Sequence, residues 1–123
     1  MGKIDDLYIA SSYLEHYRHA KKRSIEFSLS FLSFKNIMRA KKCGYTGIPL
    51  TVARRGEAEK PSDRTIDRIN NSIGYESGNV IAVCRCANSL KAMWENPTYP
   101  ISYDHVKKMV RTIETRKRGK HGN

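Results

Sequence analysis

The sequence predicts an α+β fold: an N-terminal helix, a short strand and second helix, a strand–turn–strand–helix (ββα) unit, and a last helix with a basic tail. Three observations carry this. Apolar residues recur at three- and four-residue spacing near both ends of the chain. Two β-type runs, one around Ile66 and one around Ile81, flank a stretch dense in turn formers. The chain has 123 residues, 39% hydrophobic and 28% charged, which suits one modest core rather than a disordered chain.

Asp5 to about Lys22 reads as an amphipathic helix with Leu7, Ala10, Leu14 and Tyr17 on one face. Asp5 or Asp6 caps its start. Its far end, Arg18 to Arg23, is basic, which suits the negative pole of a helix and also a phosphate-contact surface. Ile25, Phe27 and Leu29 alternate with Glu26 and Ser28 as a half-buried strand. Ser30 caps a second helix with Phe31, Phe34, Ile37 and Met38 inward, and Lys41-Lys42-Cys43-Gly44 ends it.

Tyr45 to Leu50 is a turn leading to a short strand, and Arg54 to Ser62 an exposed loop. Arg64 to Ile69 and Val80 to Cys84 are strands joined by the turn-rich stretch from Asn70 to Asn79. Ala87 to Glu95 returns to helical composition, and Asn96-Pro97 stops it. Ser102 or Asp104 caps the last helix, with Val106, Met109, Val110 and Ile113 on one face. These elements predict a single domain over 1–115, its ββα core at about 64–95, and a flexible basic tail over 116–123.

Charge narrows the function. The 23 Lys and Arg against 12 Asp and Glu give a net charge of +11. That surface suits a polyanion, nucleic acid first. No apolar run is long enough to span a membrane. The start, Met1 to Asp6, lacks the apolar core of a signal peptide, so an intracellular location is expected, without a membrane partner. The three cysteines, Cys43, Cys84 and Cys86, are an odd number with the wrong spacing for paired zinc knuckles. Reduced, mostly buried thiols and no structural zinc are the expectation.

The chemistry-bearing stretch runs from Asp67 to Lys91. A carboxylate on the first strand and the Asn88 amide on the helix are hard oxygen donors of the kind that hold Mg²⁺ alongside water and phosphate oxygens. Lys91 follows Asn88 by one helical turn and suits a neighbouring phosphate. The spacing alone is equally that of turn residues and a strand ion pair.

The order Thr65-Ile66-Asp67-Arg68-Ile69, Gly74-Tyr75, Gly78-Asn79-Val80, Asn88, Lys91 resembles the HNH (ββα-metal, His-Me finger) endonuclease superfamily, in a variant found in small bacteriophage proteins. Lys42 to Gly47 and Ala20 to Phe27 share the likeness, which covers about residues 18–95. The resemblance implies a nuclease that uses Mg²⁺ or Mn²⁺ to hydrolyse DNA. Asp67 and Asn88 would be metal ligands, Asn79 a brace for the loop between strand and helix, and Lys91 a phosphate contact. It also implies a metal on the minor-groove side of a bent duplex. Lys21, Lys22 and Arg23, with Arg116, Lys117 and Arg118, would grip the backbone of double-stranded DNA. A phage origin implies the host cytoplasm.

Two departures stand out. Active members usually have His, the general base, where this chain has Arg68. A guanidinium stays protonated and cannot take a proton, but it can clamp phosphate or stabilise transition-state charge. Losing a general base typically costs about 10²- to 10⁴-fold in rate, and Asp63 or a metal-bound hydroxide stand as replacements. Second, Cys43 and Cys84 sit where knuckle cysteines would be, with Tyr45 or Thr46 and Ala87 at the partner positions, which implies packing in place of zinc, including Tyr45 and Trp94. A non-cleaving nucleic-acid-binding protein, and a phage factor that redirects a host protein, are the alternative functions.

Overall fold

The structure is a computed structural model that describes residues 4–53 and 56–121. The expected start of the 54–62 loop, the Met1–Lys3 segment and the last two residues of the tail lie outside the described residues. Among the described residues the fold is α+β: helices α1 (Asp6–Lys22), α2 (Phe31–Met38), α3 (Arg85–Glu95) and α4 (Tyr103–His121), with strands β1 (Arg64–Arg68) and β2 (Val80–Cys84). The chain divides into two compact units, Met1–Asn88 and Ser89–Asn123. No helix among the described residues is long and apolar enough to cross a membrane.

In the first unit, Asp5 caps α1 by accepting the Tyr8 N–H at 2.9 Å. The inward face is Ile9, Tyr13, His16 and Ala20, not the expected Leu7, Ala10, Leu14 and Tyr17; Leu7 is 83% exposed and Leu14 48%. The reason is aromatic. Tyr13 packs edge-on against Phe27, Phe31 and Phe34 at 5.4, 5.4 and 5.2 Å. Its hydroxyl donates to the Leu29 carbonyl at 2.7 Å. A polar tip lets a tyrosine serve an inner face that a count of aliphatic residues passes over.

α1 ends in a Schellman turn. Ile25 N–H bonds Ala20 O at 2.8 Å and Ser24 N–H bonds Lys21 O at 3.1 Å, with Ser24 at φ +55°. Residues 25–29 then alternate in burial as expected, with Leu29 buried. They form one parallel bridge, Phe27 with Tyr75, rather than a strand. Their partner is itself a turn segment. Gly74 permits the approach, since a Cβ there would collide with the Glu26 carbonyl.

Ser30 caps α2 by accepting the Ser33 N–H at 3.1 Å, and Phe34 and Met38 are buried. The helix stops at Met38, before the expected Lys41–Gly44 end. Arg64 Nη1 donates to Met38 O and Ala40 O at 2.8 and 2.7 Å, closing the helix there. Residues 41–50 instead fold back tightly, through Cys43 N–H to Ile48 O and Leu50 N–H to Lys41 O.

β1 and β2 pair antiparallel with Asp67 opposite Ile81 and Arg68 opposite Val80. Ile66 and Val80 join Ile9, Leu29, Phe34 and Met38 in one apolar cluster. Cys43, Leu50, Ala82, Val83, Cys84 and Ala87 form another. α3 begins at Arg85, two residues before the expected Ala87. Its first N–H groups find acceptors in the preceding loop, Arg85 N–H on Asp63 O and Cys86 N–H on Pro61 O.

In the second unit α3 ends at Glu95 and Ser102 opens α4. Leu90, Met93, Trp94, Val106, Met109 and Ile113 line an apolar cavity of about 280 Å³, and Trp94 stacks on Tyr103 with centroids 5.5 Å apart. α4 carries the expected apolar face. It continues as helix through residues 116–121, where a flexible tail is expected. Arg116, Lys117 and Arg118 are themselves good helix formers and carry the helical pattern on.

Candidate functional site

Strand alternation separates the two central residues. Arg64, Ile66 and Arg68 point to one face of the hairpin; Thr65 and Asp67 point to the other. On its face Asp67 accepts a hydrogen bond from the Tyr45 hydroxyl, Oη to Oδ2 2.7 Å. The tight turn after Cys43 delivers Tyr45. Gly44 N–H bonds Ala82 O at 2.9 Å, pinning the turn to β2, and a Cβ on Gly44 would strike the Ile81 side chain. Tyr45 therefore orients the carboxylate, a role distinct from the packing expected of it.

Asn79 is buried, 8% exposed. Its Oδ1 accepts the Asn70 N–H at 2.9 Å. Its Nδ2 lies 3.1, 3.3 and 3.0 Å from the carbonyls of Asn70, Ile73 and Gly74. One amide side chain thus satisfies the inside of the whole turn. The loop it braces joins β1 to β2, whereas the expectation placed the brace between strand and helix.

Arg68 serves the same loop. Its Nη1 donates to Asn71 O at 2.8 Å and Ile73 O at 3.0 Å, and its guanidinium lies over the Tyr75 ring, 5.3 Å from the centroid.

β2 ends at Cys84 and α3 starts at Arg85 with no linker. Asn88, half-buried, follows buried Ala87 on α3. Asp67, Asn79 and Asn88 thus all belong to the first unit. Lys91, one turn on, pairs with Glu95 at 2.9 Å and belongs to the second. Among the described residues no group of three or more His, Cys, Asp and Glu side chains is gathered to hold a metal ion.

Asp63 is a structural staple and not a spare base. It is 4% exposed. It accepts from Thr51 Oγ1 at 2.6 Å and Lys60 N–H at 2.8 Å, with the Lys60 ammonium at 3.6 Å. Burial pushes its carboxyl up, but these partners outweigh burial and hold it below the usual carboxylate range. A base so depressed and enclosed is poorly suited to take a proton from water.

The basic residues fall in two places. Lys21, Lys22 and Arg23 are exposed at the end of α1, with Lys21 over the Tyr17 ring at 5.3 Å. Arg116, Lys117 and Arg118 are exposed on α4 in the second unit.

Among known proteins, the chain is similar to an uncharacterized 29.0 kDa protein of the dda-modA intergenic region of Enterobacteria phage T4. The two are 42% identical over 80 residues, 64% of this chain and 30% of that protein. The chain therefore spans less than a third of that relative's length. No family model matches the sequence. No solved structure matches it.

Proposed function

We propose that the chain is a metal-dependent DNA nickase or endonuclease of the HNH type, with Asp67 and Asn88 as the metal ligands on a ββα core over about 64–95. The observation that carries the reading is the Tyr45–Asp67 hydrogen bond, set on a hairpin that runs directly into the helix bearing Asn88. Here a tyrosine from a separate turn fixes the orientation of a carboxylate on a strand.

The donor set fits Mg²⁺ or Mn²⁺. A carboxylate and an amide oxygen are hard ligands, and the remaining positions suit water and phosphate oxygens. When bound, such an ion polarises the phosphoryl group and stabilises the leaving oxygen. The protein's part is positioning. Tyr45 holds Asp67 in one orientation, Asn79 and Arg68 keep the β1–β2 loop rigid, and Lys21, Lys22, Arg23, Lys91, Arg116, Lys117 and Arg118 contact backbone phosphates. The partner in this reading is double-stranded DNA and the setting the cytoplasm of a phage-infected host, in keeping with the phage origin of the T4 relative.

A second reading, a protein of this fold that binds DNA without cutting it, is favoured by one observation. The position that holds the general base in active members is Arg68, and its guanidinium is bonded to the loop. Supercoiled plasmid incubated with the protein and Mg²⁺ or Mn²⁺ separates the two. Nicking that disappears with chelator and with Asp67→Ala supports the nuclease; salt-dependent binding without nicking in either metal supports the second reading.

A further inference from the structure

The three thiols converge at the junction of β2 and α3. Cys43 and Cys84 are 3% and 0% exposed, in line with the mostly buried set expected, whereas Cys86 is exposed. The sulfurs of Cys84 and Cys86 are 3.6 Å apart, in contact. Cys84 is buried in one apolar cluster with Cys43, alongside Ala82, Val83 and Ala87. One cysteine is open to solvent, the next touches it from the interior, and the third is buried in the same cluster.

We propose that Cys86 and Cys84 form an oxidisable dithiol whose substrate class is a hydroperoxide. The Cys86 sulfur attacks the peroxide, the O–O bond breaks, and Cys86 becomes a sulfenic acid as the first water leaves. The Cys84 sulfur attacks that sulfenyl sulfur; the S–S bond forms, the S–O bond breaks, and the second water leaves. Two thiols lose two hydrogens and two electrons, and one hydrogen peroxide becomes two waters. Cys43 takes the proton that Cys84 sheds and passes it to the departing hydroxide, which leaves as the second water. Burial pushes its own pKa up, but the donors around it outweigh burial and bring it down to about 7, so it is substantially ionised at neutral pH.

The bond would link the last residue of β2 to the first turn of α3. A disulfide needs the sulfurs at about 2.05 Å, so this turn must tighten, two residues before Asn88. The thiol chemistry does not depend on the nuclease reading.

The test is hydrogen peroxide treatment of the full chain, alkylation of the remaining thiols, and tryptic mass mapping without reductant. Cleavage after Arg85 separates Cys84 from Cys86, and Cys43 falls in a third peptide, 43–54. The expected result is peptides 69–85 and 86–91 joined with the loss of two hydrogens, or the uncut 69–91 with the same loss, and Cys43 alkylated. The free thiol count falls from three to one. Cys86→Ser, an exposed position that leaves the core intact, is expected to abolish the internal bond. A bond between Cys43 and Cys84, a bond only between chains, or Cys86 stopping at the sulfinic acid would each overturn the proposal.

Discussion

The hydroxyl of Tyr45 donates to Asp67 across 2.7 Å, linking residues 22 apart in sequence and joining a tight turn to the face of the β-hairpin. A phenol in that position offers one hydrogen and fixes one carboxylate oxygen. Tyr45→Phe keeps the ring and removes the donor. Nicking is expected to fall about tenfold, the equivalent of roughly 1.4 kcal/mol, with thermal stability lowered by about 1 kcal/mol or less. Plasmid nicking and a melting curve on the same preparation check both. Unchanged nicking would mean that Tyr45 does not orient Asp67 for function.

Asn79 fills the turn between the strands, and nothing of its size and donor pattern replaces it. Asn79→Ala removes the side-chain partner of the Asn70 N–H and of the Gly74 carbonyl, while Asn70 O and Ile73 O keep the Ile73 N–H and Arg68, respectively. The expected cost is about 2–4 kcal/mol in urea denaturation, since each buried unsatisfied group costs roughly 1–3 kcal/mol. Asn79→Asp keeps the acceptor but loses the donors and should fall between wild type and alanine.

Two groups give the stability a dependence on pH. Asp63 has a folded pKa below its unfolded value near 4. Its contribution is therefore present above that value and lost as pH falls through the folded pKa. His16 is shifted down by burial against α1 and Phe34. Its neutral form belongs to the folded state, so stability begins to fall as pH drops through the unfolded value of about 6.5 and goes on falling until the folded pKa is passed. Melting curves from pH 8 to 2.5 should show both limbs. Asp63→Asn should flatten the acidic one and His16→Gln the one just below 6.5.

Ser24 sits at φ +55°, a left-handed conformation that side chains disfavour, at the position where Schellman turns usually carry glycine. Ser24→Gly is expected to stabilise the protein by about 0.5 kcal/mol, as strain relief of roughly 1 kcal/mol is partly offset by the greater freedom of glycine when unfolded. A higher melting temperature with unchanged nicking is the outcome to look for.

Much of this was legible in local pattern. The alternation around Ile66 and the apolar run Val80–Cys84 gave both strands, and Asp5 and Ser30 announced their helices. What was not legible depends on distant partners. α1 turns Tyr13 and His16 inward because Phe27, Phe31 and Phe34 surround them, and no count of aliphatic residues contains that. α2 stops early because the Arg64 guanidinium, 26 residues on, takes its last carbonyls. The Tyr45–Asp67 bond, the loop duty of Arg68 and the burial of Asp63 arise the same way, from side chains that meet only once the hairpin has closed. The helix over 116–121 is hidden for a different reason: a run of charges carries no apolar pattern, although Arg and Lys favour helix.

The central claim is that Asp67 and Asn88 hold one divalent ion. Paramagnetic Mn²⁺ titrated into isotope-labelled protein tests it most directly, because broadening falls steeply with distance from the ion. The account predicts early and saturable broadening of the Asn88 side-chain amide and of the backbone amides flanking Asp67, lost in Asp67→Ala. Broadening that leaves Asn88 untouched, or that persists unchanged in Asp67→Ala, would contradict it.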